Sequence, residues 1–116
     1  MGEYIMKPND KLSKILPHIE EYQRFIENDY DEWSNKKCQF KNDLGFRTGY
    51  DAGNKYVRIF HWYDHGSSLK QRSCHSFIDL NTGDIWKAAS WKAPAKNFPR
   101  GNIIRKEYGT IRWTGC

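Results

Sequence analysis

Four side chains in the middle of the sequence are of the types that bind metal ions: His61, His65, Cys74 and His75. A zinc site needs such ligands to converge on one point. His61 and His65 lie four residues apart on or just past an expected strand, which separates them by about 13 Å at about 3.3 Å per residue. Cys74 and His75 are neighbours in a strand, so they point to opposite faces. We therefore expect no metal site and no bound cofactor.

Other catalytic chemistry also lacks its usual pattern of residues. Cys74 and His61 could meet across paired strands, but the sequence marks neither as an activated nucleophile or base. The acids that could serve a metal-dependent nuclease are Asp64, Asp79 and Asp84. Asp79 and Asp84 are better explained as residues of a turn, because Asp bonds readily to neighbouring backbone groups. We expect that the protein is not an enzyme.

The segment from residue 85 to residue 106 has a composition suited to an anionic partner. It carries six Lys or Arg residues and no Asp or Glu, and Trp86 and Trp91 lie between the cations. Pro94 and Pro99 prevent a long helix. Basic side chains neutralise phosphates, and indoles stack on unpaired bases. The residues expected to bind nucleic acid are Lys87, Trp91, Lys92, Lys96, Arg100 and Arg105.

Two other interpretations of the aromatic and basic residues remain open. Trp86 and Trp91 could pack inward, leaving the lysines as ordinary solvated surface. Exposed aromatic and arginine side chains could instead be the hot spots of a protein-binding surface. The residues expected to contact such a protein are Arg58, Trp62 and Trp86.

The first third of the chain has the periodicity of an amphipathic helix. Its apolar residues recur every three or four positions, at Leu12, Ile15, Ile19, Tyr22, Ile26, Tyr30 and Trp33. Pro17 would cost about 3 kcal/mol inside a continuous helix. We therefore favour a short helix at 10–16 followed by a main helix at 17–35, with a kink at Pro17 as the alternative.

The remainder of the chain is β-like. The clearest strand is 55–64, in which Tyr56, Arg58, Phe60 and Trp62 alternate with Val57, Ile59, His61 and Tyr63. The other expected elements are a short strand at 38–40, a turn at 51–54, a strand at 72–80, a turn at 81–84, and a closing hairpin or two extended segments formed by 102–105 and 110–113. Together with the helix they predict an α+β fold, in which the N-terminal helix packs on a small antiparallel sheet of about four or five strands.

Length and charge indicate the number of domains and the kind of partner. The 116 residues predict one domain, 1–116. Residues 1–36 hold eight acids and five bases, a balance of −3, whereas residues 37–116 hold six acids and fourteen bases, a balance of +8. A basic, β-rich body behind an acidic helical part suits an anionic partner. The three cysteines and the lack of a signal peptide or a long apolar run predict free thiols in a reducing cytoplasm and no membrane association.

One motif resembles a known group of proteins. The run from His75 to Ile103, HSFIDLNTGDIWKAASWKAPAKNFPRGNI, is similar to a stretch in small uncharacterised proteins of tailed bacteriophages and other large DNA viruses. In those proteins the pattern H-S-F-[IV]-D-x-x-T-G-D-[IV]-x-K-[AP]-A-S-W-K-A-P-A-K precedes an Arg and an R-G-N or R-Y-N step. The resemblance covers about a quarter of the chain and brings no activity with it.

The resemblance implies a viral origin and a place of action in the cytoplasm of an infected host cell. Small basic proteins there bind nucleic acid or a host protein. The sequence favours DNA or RNA as the partner. A host polymerase or a component of antiviral defence is the alternative.

Overall fold

The computed structural model describes residues 8–37, 45–64 and 72–116. In this part of the chain it contains one helix and a five-stranded antiparallel sheet. The elements are α1 (Pro8–Lys37), β1 (Phe46–Ala52), β2 (Tyr56–Tyr63), β3 (Ser73–Asp79), β4 (Asp84–Lys87) and β5 (Gly101–Asn102). Each strand pairs with the next one along the chain. The predicted α+β class and strand number are confirmed.

The helix continues through Pro17. The structure has one helix, α1, so the favoured division into two helices is wrong. Pro17 lies on the exposed side of α1, whereas Ile15 and Ile19 are only 5% and 0% exposed. Packing of this apolar side against the sheet stabilises the helix enough to offset the backbone hydrogen bond that proline cannot donate.

The core lies between α1 and one face of the sheet, which we call the inner face. From the helix, Ile19, Tyr22 and Ile26 are fully buried. The inner face contributes side chains that are also fully buried, namely Val57, Ile59, Ile78 and Ile85. The helix stripe was thus predicted correctly over most of its length. Its last member, Trp33, is 40% exposed.

β1 contains Gly49, a residue type that weakens a strand and is more common in turns. Gly49 pairs with Phe60 of β2, and a Cβ atom at Gly49 would lie 2.8 Å from the Phe60 ring. Gly49 therefore marks a close approach within a strand rather than a turn. A turn does join β1 to β2 near the predicted 51–54, but it comprises 53–55, because Asp51 and Ala52 are the last residues of β1. The predicted short strand at 38–40 lies outside the described residues.

A β-bulge interrupts the alternation of β3. Ile59 pairs with Ser76 and Phe60 pairs with Cys74, so His75 is the extra residue. The bulge puts Cys74 on the face of Phe60, although strict alternation along β3 would put Cys74 on the face of Ser76. It also lets both His75 and Ser76 reach Tyr22 of α1.

The C-terminal segment forms two tight turns, closed by the pairs Asn102–Glu107 and Arg112–Gly115. Neither predicted arrangement of 102–105 and 110–113 is present. The first turn is held by the buried Asn102, whose Oδ1 accepts hydrogen bonds from the backbone N–H groups of Ile104 and Arg105 at 2.9 and 3.0 Å. This local side-chain bonding outcompetes extended strand pairing. Within the described residues, the structure has no helix apolar and long enough to cross a bilayer.

Candidate nucleic-acid interface

The sheet face that turns away from α1 carries an unusual concentration of aromatic and basic residues. In an antiparallel sheet, paired residues point to the same side, so the pairing register defines this face. It comprises Arg47, Gly49 and Asp51 of β1, Tyr56, Arg58, Phe60 and Trp62 of β2, Cys74, Phe77 and Asp79 of β3, and Asp84 and Trp86 of β4. We call it the outer face.

Residues 88–100, which we call the return segment, fold back across part of the outer face. The Ala95 N–H donates to the Lys87 carbonyl at 2.7 Å and fixes the start of this fold-back. The Trp91 ring then packs on Phe60, with 5.8 Å between ring centroids. As a result Phe60 is buried, while Trp91 itself is half-buried.

Arg58 ties the return segment to the sheet. Its Nε–H donates to the Trp91 carbonyl at 2.6 Å, and its Nη1 donates to Asp51 Oδ2 at 3.2 Å. The guanidinium also lies 4.5 Å from the centre of the Trp91 ring, a cation–π contact. Arg58 therefore has a structural role, and its charge is largely engaged by groups of the same chain.

Other cations lie against rings of the same surface. The ammonium groups of Lys55 and Lys96 are 5.4 and 5.3 Å from the centre of the Tyr56 ring. The Arg72 guanidinium is 4.9 Å from that of Phe60. A hydrogen bond with Tyr56 is the main cause of a raised pKa of Lys96, which stays protonated at neutral pH. The outer face thus places positive charge and aromatic surface side by side.

Trp62 forms the other end of the aromatic row on β2. Its ring packs on Phe60 at 5.7 Å and remains half-buried. The missing side chain of Gly49 makes this possible, because a Cβ atom there would lie 3.1 Å from the Trp62 ring. Exposed Arg47 is the direct cross-strand partner of Trp62.

The residues predicted to bind nucleic acid do not form one continuous strip. Trp91 and Lys96 contact side chains of the outer face, and Lys92 lines a groove there. Lys87 pairs with Ser76, so it points to the inner side of the sheet. Arg105 forms an ion pair with Glu107 at 3.2 Å.

Arg100 belongs with Lys87 rather than with the outer face. Its guanidinium lies 4.0 Å from the centre of the Phe98 ring. Burial raises the pKa of Cys116 to about 11, and the charges of Arg100 and Lys87 both oppose that shift, which places them near the same thiol. Only half of the six predicted residues are therefore brought together.

The three residues predicted for a protein contact all lie on the outer face. Arg58 is engaged as described, and Trp62 is accessible along part of its ring. Trp86 pairs with Phe77 and is half-buried, and its Nε1–H is buried without a hydrogen-bond partner among the described residues. Sequence reasoning missed Lys55, Tyr56 and Arg72 as members of this surface, although the alternation along β2 already put Tyr56 beside Arg58.

A groove of about 250 Å³ opens on the outer face beside the β1–β2 turn. Its walls include Asp51, Asn54, Lys55, Tyr56, Phe77 and Lys92. It brings one carboxylate, two ammonium groups and aromatic surface together around a small space.

The comparison with known families gives one result. A model described as "Family of unknown function (DUF7717)" matches residues 2–116. The chain belongs to this family. Searches of curated proteins and of solved structures found no match. The DUF7717 match takes in helix and sheet together, whereas the motif from His75 to Ile103 covers most of β3, β4, the return segment and β5.

The core contains a cluster of polar side chains that is separate from the outer face. His75 Nε2 donates to the Arg112 carbonyl at 2.7 Å, so Nδ1 is the acceptor for the Ser76 hydroxyl at 2.8 Å. Ser76 in turn accepts from the Tyr22 hydroxyl at 2.9 Å. Burial is the main cause of the low pKa of His75, about 4. With all three side chains buried, this arrangement joins α1, β3 and the last turn.

Three other residues considered for catalysis, Cys74, Asp79 and Asp84, have structural explanations. Burial raises the pKa of Cys74 to about 11, which keeps its thiol protonated and a poor nucleophile. Asp79 accepts from the backbone N–H of Asn81 at 2.7 Å, and Asp84 accepts from Asn102 at 3.0 Å. In residues 8–37, 45–64 and 72–116 no three His, Cys, Asp or Glu side chains are grouped as metal ligands. His65 lies outside the described residues.

Proposed function

We propose that the protein binds single-stranded DNA or RNA on the outer face. The observation that carries the proposal is the contact of two cations, Lys55 and Lys96, with the partly accessible ring of Tyr56, while a third, Arg72, lies on the buried Phe60 of the same face. Binding of a single strand combines stacking of bases on aromatic rings with neutralisation of the adjacent phosphates. Both kinds of group must then lie within a few Å of each other, as they do here.

The form of the surface favours a single strand over a duplex. The rings lie on a sheet, where they can reach only bases whose faces are free, and in a duplex those faces are covered by neighbouring bases. Tyr56 and Trp62 are separated by about 20 Å along β2, at about 3.3 Å per residue. That length accommodates several consecutive nucleotides.

A base and a cation need not compete for the same aromatic ring. Lys96 is exposed, so its ammonium group can move from Tyr56 to a phosphate when a base takes its place. Lys92 lines the groove that Tyr56 also lines, and it adds a second exposed charge. Lys87, Arg100 and Arg105 lie elsewhere, and in this proposal they supply only long-range attraction.

The test is fluorescence anisotropy with a labelled single-stranded 12-mer of RNA, the same 12-mer of DNA, and a duplex, at about 50 mM and about 200 mM salt. Each phosphate contact adds about −0.7 to the slope of log K against log salt for a single strand. Four contacts, from Lys55, Arg72, Lys92 and Lys96, give about a 50-fold loss of affinity across this fourfold change in salt.

The discriminating variant is the double substitution Lys92→Glu with Lys96→Glu, and Lys11→Glu with Lys14→Glu on α1 is its control. Both change the net charge equally. We expect the first to weaken binding and to reduce the slope by about 1.4, and the second to leave the slope unchanged. Equal losses in the two variants, or an affinity that does not respond to salt, would contradict the proposal.

The setting of this activity is a further part of the proposal. The similarity of residues 75–103 to small proteins of tailed bacteriophages supports a viral origin and action in the cytoplasm of an infected host cell. Examination of the neighbouring genes tests the origin. A host protein remains the alternative partner, with Trp62 and Trp86 as its contacts. A pull-down from nuclease-treated host lysate distinguishes the two partners. A protein that is retained in the absence of nucleic acid favours the alternative.

A further inference from the structure

The groove beside the β1–β2 turn has the size of a site for one flat ring. Its volume of about 250 Å³ lies just below the range of about 300–1,000 Å³ typical of pockets for small molecules. Tyr56 offers a ring at one wall, and Phe77 contributes apolar surface beneath it. Lys55 and Lys92 lie at the rim, where the phosphate of a bound nucleotide would be.

Asp51 is the one acid that lines this groove among the described residues. Its Oδ2 accepts from Arg58 Nη1 at 3.2 Å, and Arg58 is itself fixed by the Trp91 carbonyl. The carboxylate is therefore held in position although the side chain is 46% exposed. An ionised carboxylate offers about four acceptor sites and no donor, so most of its bonding capacity remains for a ligand.

Resting on the proposed function, we infer that this groove holds one nucleotide of the bound strand and that Asp51 makes it selective for guanine. Guanine presents two N–H donors side by side on its Watson–Crick edge, N1–H and the N2 amine, which match the two oxygens of a carboxylate. Uracil and thymine present one N–H between two carbonyl oxygens, which a carboxylate repels. Cytosine and adenine present an amine next to a ring acceptor, so each can offer only one bond.

The experiment measures the anisotropy of labelled RNA heptamers that differ at one base. The reference is a heptamer of uridine, and the others carry guanosine, cytidine or adenosine at the central position. A well-matched bidentate contact discriminates between bases by about tenfold or more. We expect the guanosine heptamer to bind about tenfold more tightly than the uridine heptamer, with the cytidine and adenosine heptamers between them.

The decisive variant is Asp51→Asn, and Asp64→Asn is the matched control because it makes the same change of charge at the far end of β2. We expect Asp51→Asn to reduce the preference for guanosine to less than about twofold while it keeps the affinity for the uridine heptamer within about threefold. Asp64→Asn should retain the full preference. Should Asp51→Asn fail to fold, as judged by near-ultraviolet circular dichroism, Asp51→Ser repeats the test.

The possible failures are distinguishable. Equal affinity of the wild-type protein for the guanosine and uridine heptamers, with binding that weakens as salt is added, overturns the selectivity and leaves the proposed function standing. Retention of the preference in Asp51→Asn overturns the role of Asp51. If no heptamer binds at low salt, both the inference and the proposed function fall.

Discussion

Acidification should destabilise the fold through His75. The ring is 2% exposed, its Nε2–H bonds the Arg112 carbonyl, and its Nδ1 accepts from Ser76, so a proton on Nδ1 would bury a positive charge and force the Ser76 hydroxyl to turn from donor to acceptor. Burial, as the largest cause, lowers the pKa of His75 from 6.5 to about 4. The unfolded chain therefore binds more protons than the folded chain between these two values, and this contribution to stability is complete above about pH 6.5 and is lost as the pH falls towards 4.

The size of the effect follows from the same pKa difference. One unit corresponds to about 1.4 kcal/mol, so the full loss below pH 4 is about 3 kcal/mol. About 2 kcal/mol of it should already be lost between about pH 7 and about pH 5. Burial also lowers the pKa of His61, which adds a contribution of the same sign.

Urea unfolding followed by tryptophan fluorescence at about pH 7, 6 and 5 measures this loss. We expect His75→Gln to be less stable than wild type at pH 7 by about 1–3 kcal/mol, because the variant leaves buried polar groups without partners. Its stability should then change much less with pH. His18→Gln on α1 is the control and should keep the wild-type pH dependence. A wild-type loss below about 0.5 kcal/mol, or the same slope in His75→Gln, would refute the reasoning.

Three other substitutions test how the outer face and its supports are built. Arg58→Ala removes the hydrogen bond to the Trp91 carbonyl and should lower the free energy of unfolding by about 2 kcal/mol. Hydrogen exchange at the Ala95 N–H should become faster in this variant, and unchanged exchange would show that Arg58 does not hold the return segment. Gly49→Val puts a side chain against the Phe60 ring and should cost about 1–3 kcal/mol by thermal unfolding; a neutral effect would mean that β1 and the rings can move apart. Asn102→Ala leaves two backbone N–H groups of the turn without their acceptor and should cost about 1–3 kcal/mol; a stability equal to wild type would contradict that role.

The sequence predicts those parts of the fold that depend on local periodicity. The sequence predicts the apolar stripe from Ile15 to Tyr30 and the alternation of β2, because each pattern repeats without interruption. The continuity of α1 through Pro17 has no signal in the helix sequence, since the packing that keeps the helix continuous comes from the sheet. The glycine in β1 resembles a turn signal until its partner, Phe60, is known.

Only half of the candidate surface could be predicted from the sequence. The face to which Lys87 points depends on its pairing with Ser76, and the position of Trp91 depends on Arg58, 33 residues away. The bulge at His75 likewise exists only relative to the register of β2. Such relations between distant segments have no signature in composition or spacing.

Mapping where the ligand binds tests most directly whether the outer face is the binding surface. An NMR titration of backbone amide and tryptophan indole signals with a single-stranded heptamer measures this location. We expect the shifts to concentrate on β2, on the return segment and on the indoles of Trp62 and Trp91, while the signals of the exposed side of α1 stay unchanged. Shifts that cluster on α1, or no shifts at all, would contradict this expectation.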